Sequence, residues 1–162
     1  MKHLAKRLAA VAVAVVVLCG CQRHEDISLV LGADVNAGEV LSETDSHGGF
    51  HGDGERYMEF QFDGNAFEEV IQKDNTWHTL PVKEDTVQAV FYGLEKDGVF
   101  YGPYIEAELP DVEEGYYFIY DRHSECTEPF DSAEILERAS LNFTAAIYDA
   151  KEDRLYYVEV DT

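Results

Sequence analysis

Basic residues are scarce in this 162-residue chain: 12 Lys and Arg stand against 33 Asp and Glu, a net charge of −21. A surface with that imbalance repels phosphate backbones and anionic headgroups, which argues against a nucleic-acid partner and favours cationic partners or metal ions. The acids are dispersed among aromatic and β-branched residues, as on a folded surface, and are not gathered into a disordered acidic tail. Cysteine is scarcer still. Cys19 and Cys21 lie near the N-terminus and Cys126 stands alone, so the body of the chain has no pair to bridge and its stability must come from a core. A chain of this size buries roughly two thirds of its unfolded surface, adequate for one domain. No internal repeat or low-complexity tract is present. The N-terminal apolar stretch is too short to span a bilayer comfortably: residues 8–21 are 14 uncharged positions, about 21 Å as a helix against a hydrocarbon core of about 30 Å.

That stretch follows Lys2, Lys6 and Arg7 and ends in Leu18-Cys19-Gly20-Cys21. A basic region, an apolar region and a small-residue boundary, in that order, make a secretory signal. The last four residues resemble the lipobox of bacterial lipoproteins, departing from it at Cys19, where Ala or Ser is usual. The resemblance implies that the Cys21 sulfur takes a diacylglycerol, that signal peptidase cuts before Cys21, and that the mature protein sits on the outer, extracytoplasmic face of the cell membrane. Two acyl chains hold a protein stably where one is marginal. Residues 1–20 are then the signal, 21–26 a tether reaching at most about 17 Å, and 27–162 a single acidic domain. Removing the signal leaves nine basic against 33 acidic residues, a net charge of −24.

Along the domain, Ile27, Leu29, Leu31 and Ala33 alternate with other residues and predict a strand, with a second, short strand at Val40 to Thr44. Between Asp45 and Gly54 four glycines in seven positions exclude helix and regular strand, so a tight loop is expected. Met58, Phe60 and Phe62 then mark one face of a strand. Phe67, Val70 and Ile71 predict a helix of about ten residues behind an Asn65 cap, and Val87, Val90 and Phe91 a second helix stopped by Gly93. Val99 to Ile105 reads as an interrupted strand, the aromatic run Tyr116 to Tyr120 as a buried central strand, and Asp131 to Arg138 as a short helix. Leu141 to Asp149 and Leu155 to Asp161 read as a terminal hairpin. The expected fold class is α+β: a single mostly antiparallel sheet with two or three helices packed on one face.

The run from Asp45 through His47-Gly48-Gly49-Phe50-His51-Gly52-Asp53-Gly54 to Glu55, with Gly115-Tyr116-Tyr117, Asp121-Arg122-His123-Ser124 and the segment Asn142 to Asp149, is similar to a group of small uncharacterised lipoproteins of Gram-positive bacteria. That resemblance covers nearly the whole mature chain and implies no activity.

Candidate chemistry sits in two polar loops. Asp45, His47, His51 and Asp53 in the first, with Asp121, His123 and Glu125 in the second, include the side-chain types that hold Zn²⁺ or Mn²⁺, and three of the mature chain's five histidines fall there. The spacing is not diagnostic. Gly48 and Gly49 deny His47 and His51 the helix that a zincin pair requires, and the EF-hand pattern lacks its acidic third ligand and terminal glutamate. The competing reading is a folded turn whose Asp and His side chains bond backbone amides and Arg122. No catalytic residue is assigned and no cofactor beyond a divalent metal is implied. The expectation is a membrane-anchored, non-enzymatic module for a cationic or polar ligand or protein. The alternative is a metal-dependent hydrolase built on residues 45–53 and 121–125.

Overall fold

Two adjacent strands whose residues are buried on both sides require a covering layer above and below them, and the C-terminal hairpin has that character. The structure, a computed structural model, describes residues 24–48 and 52–162. The acylation site Cys21 and the candidate ligand His51 lie outside the described residues. The hairpin strands Asn142–Asp149 (β7) and Arg154–Asp161 (β8) are buried at nearly every position between their ends. They occupy the middle of a six-stranded antiparallel sheet. Glu39–Asp45 (β1) and Gly54–Gln61 (β2) extend it on one side, and Gly115–Asp121 (β6) and Trp77–Thr79 (β3) on the other, in the order β1-β2-β8-β7-β6-β3. The chain has the α+β architecture expected from its pattern.

One face of the sheet carries Met58, Phe60, Leu155, Tyr157, Ala146, Tyr148 and Phe118. Two helices close it, Glu25–Leu31 (α1) through Ile27 and Leu31, and Ala66–Ile71 (α2) through Phe67 and Ile71. Trp77 fills the space between Phe67 and Phe118, and its indole N–H donates to the Leu31 carbonyl at 3.0 Å, tying β3 to the end of α1. The opposite face, with Tyr117, Ile119, Phe143, Ala145, Ile147, Val158 and Val160, packs on the third helix, Asp85–Phe91 (α3), through Val87, Val90 and Phe91, and on Ile105, Val112 and Ile135. Each large side chain fully withdrawn from water contributes about 1.5–3 kcal/mol.

Residues 27–31 are helical where alternation from Ile27 to Ala33 predicts a strand. Ile27 and Leu31 are buried while Leu29, between them, is 83% exposed. The spacing i, i+4 suits both periods, so only the environment of Leu29 separates them. Glu25 and Asp26 favour the positive N-terminal end of this helix, and Gly32 closes it with φ 68°. Glu25 and Asp26 therefore belong to α1 and not to a tether. α2 is six residues long, not about ten, and Val70 is exposed on its outer side. Val99–Tyr101 (β5) pairs with Leu94–Lys96 (β4) in a separate ribbon, because Gly102 turns the chain at φ 70°. The aromatic strand β6 is next to an edge, not central; its flank is covered only by three-residue β3. Between Asp131 and Arg138 a single 3₁₀ turn, Ile135–Glu137, replaces the expected helix.

Candidate functional site

The glycine-rich loop begins and ends on hydrogen bonds that extend the β1–β2 ladder by one pair. Ser46 N–H donates to the Glu55 carbonyl at 2.9 Å, and the Ser46 hydroxyl accepts from Glu55 N–H at 2.8 Å. The two strands approach so closely here that a Cβ on Gly54 would stand 2.5 Å from the backbone nitrogen of His47, a distance real Cβ atoms do not reach. Gly54 is what lets the loop close.

His47 is then held between two carboxylates. Asp45 Oδ1 accepts from His47 N–H at 2.9 Å and lies 2.8 Å from Nδ1, while Nε2 lies 3.1 Å from Asp161 Oδ2. Arg122 completes the group: one Nη donates to the same Asp161 oxygen at 3.0 Å and lies 3.2 and 3.3 Å from the carbonyls of Phe143 and Val160. The backbone amide of His47, ahead of its ring, lowers the pKa of Asp45. This is the hydrogen-bonded arrangement, with Arg122 as a member, that competes with a metal site for the same residues.

Asp121 and His123 do not join it. Successive strand residues point to opposite faces, so Arg122 turns toward His47 and Asp121 toward the other side. Asp121 is 3% exposed; it accepts from Arg138 and, at 2.9 Å, from His123 N–H. Arg138 also donates to Glu134 at 2.9 Å and stands beside Cys126, and Asp121 is the main cause holding its guanidinium firmly in the charged form. His123 Nδ1 accepts the Glu125 amide at 3.2 Å. Among the described residues, no three His, Cys, Asp or Glu side chains are grouped to hold a metal ion.

Asp53 instead lines a cleft of about 580 Å³, and Asp161 meets the same cleft at the end of β8. Its acidic lining is Asp53, Glu55, Glu106 and Asp161, and its apolar wall is Pro103, Tyr104, Leu141 and Val160. Glu55 builds it: its two carboxylate oxygens accept the N–H groups of Glu106 and Ala107 at 2.7 and 2.8 Å, fastening the segment after β5 over the sheet. Among the described residues, no Lys or Arg lines the cleft. The charge of Asp161 is answered by Arg122 and that of Glu55 by two amides, whereas Asp53 and Glu106 are exposed and make no ion pair among the described residues.

Glu55, Glu106 and Asp161 are not among the candidates drawn from the sequence. Glu55 adjoins the glycine loop, but nothing local ties residues 104–106 to it. Asp161 reaches the site because β8 pairs with β2, which sets Asp161 opposite Gly54. No protein-family model, no curated protein and no solved structure matches this chain.

Proposed function

We propose that this chain is a lipid-anchored extracytoplasmic binding module, attached through Cys21, that holds a cationic ligand in the cleft between residues 53–55 and residues 103–106. The observation that carries the reading is the pair Asp53 and Glu106, two carboxylates lining one cleft with no Lys or Arg among its described lining residues. A cation 4 Å from such a carboxylate gains about 1–4 kcal/mol, depending on how far water is excluded. Tyr104 adds about 0.5–1 kcal/mol if the cation meets its ring. Two such contacts place a small polyamine in the submillimolar to millimolar range, roughly, which suits reversible capture. The anchor reading is supported by the sequence before Cys21, and no helix among the described residues is long and apolar enough to cross a membrane.

Two experiments test the two halves. Cells expressing the Cys21→Ala chain should accumulate unprocessed precursor that takes up no labelled fatty acid, and normal labelling would end the anchor reading. Calorimetry with spermidine should give saturable binding that Asp53→Asn/Glu106→Gln weakens at least fivefold. Equal weakening by the charge-matched distant pair Glu113→Gln/Glu114→Gln would reduce the cleft to general surface charge.

A further inference from the structure

A second surface, separate from the cleft, is open to a partner of the same charge. Among the described residues, β1 is the outermost strand of the large sheet and pairs only with β2. Six of its seven residues are exposed. Its outer edge presents a row of backbone N–H and C=O groups to solvent, the template to which another extended chain can add. The opposite edge, β3, spans three residues and offers little.

The side chains of β1 select the occupant. Its register with β2 puts Val40, Glu43 and Asp45 on one face, across from Phe60, Met58 and Arg56. Glu43 lies 3.5 Å from Arg56 and Asp45 lies 2.8 Å from His47, yet their side chains are 42% and 49% exposed, so each stays open to a further cation. Val40 and Leu41 are 40% and 45% exposed, apolar surface that a strand guarded only by charge has no need to carry. A second copy of the chain fits badly. Antiparallel pairing about Ser42 would set Glu39 opposite Asp45, and like charges directly across a ladder are destabilising.

We propose that the free edge of β1 receives an extended basic segment of a partner protein as an added strand. Its Lys or Arg residues at alternate positions would stand opposite Glu43 and Asp45, with an apolar residue opposite Val40. The proposal stands whether or not the cleft binds a cation.

The test uses a fluorescent Lys-Thr-Lys-Thr-Val-Thr-Val peptide titrated into the mature chain in detergent. Two analogues are N-methylated at alternate residues, so that each loses the N–H groups of one peptide edge only. One analogue should fail to bind while the other binds as the parent does, because an added strand uses a single edge. Glu43→Gln should weaken the parent about threefold, as a cross-strand charge pair does, and leave spermidine binding at the cleft unchanged. Equal binding of both analogues, no binding of the parent, or a dimer whose β1 amides are protected without peptide would each overturn the proposal. Loss of spermidine binding with peptide binding intact would instead sink the cleft reading alone.

Discussion

Replacing Arg138 by alanine strands Asp121, a carboxylate 3% exposed on the inner side of β6. Arg138 is its sole cationic partner among the described residues, and the arginine side chain is itself 10% exposed. Removing one member of a buried pair costs about 3–5 kcal/mol, because the charge left behind has neither water nor a counter-ion. Asp121 keeps the His123 amide at 2.9 Å, so the lower end of that range applies, about 3 kcal/mol. Against a total stability of about 5–15 kcal/mol this is a large fraction. In urea, with a slope of about 2 kcal/mol per molar, the midpoint should fall by about 1.5 M. Trp77, the only tryptophan, is packed against Phe118 of the same strand and reports the transition. Asp121→Asn keeps the volume and removes the charge, so Asp121→Asn/Arg138→Ala should be more stable than Arg138→Ala alone. A midpoint shift below about 0.5 M for Arg138→Ala, or a double variant no better than the single, would refute the reasoning.

Three further outcomes are expected. His47→Ala should cost about 1 kcal/mol whether or not a chelator is present, since the ring contacts are lost while Asp45 keeps the amide of residue 47 and Asp161 keeps Arg122; a chelator effect on the wild type alone would restore the metal reading. Gly54→Ala should lower the melting temperature sharply, because its Cβ would enter the backbone of His47; an unchanged melting temperature would show that the loop neck can open. Burial pushes Tyr57 and Tyr92 up to about 12 from an ordinary value of 10.0. The folded state therefore keeps protons that the unfolded state gives up, so this contribution is intact below pH 10 and is lost as pH rises toward about 12. Tyr57→Phe and Tyr92→Phe should each flatten that alkaline loss in urea melts, and a midpoint independent of pH across the window would contradict it.

The sequence makes those features legible in which one periodicity excludes the other. Met58 and Phe60 alternate with half-buried neighbours on a strand, Val87, Val90 and Phe91 mark a helix, and the terminal hairpin follows from two apolar runs with a polar turn between them. Ile27 and Leu31 fit both periods, and α1 is misread for that reason. The site divides in the same way. Asp45 and His47 are neighbours in sequence and in space, whereas the parting of Arg122 from Asp121 depends on which face of β6 each one takes. The cleft depends on pairings remote in sequence: Glu55 with the amides of residues 106 and 107, and Gly54 with Asp161. Nothing near those residues announces such contacts.

Nuclear magnetic resonance of the isotopically labelled mature chain, titrated with spermidine at constant ionic strength, addresses the cleft most directly. Saturable shifts should be concentrated at Asp53, Gly54, Glu55, Tyr104, Glu106 and Asp161, the residues that line it, and should vanish in Asp53→Asn/Glu106→Gln. Small unsaturated shifts spread over acidic residues on both faces of the sheet would contradict a cation-binding cleft.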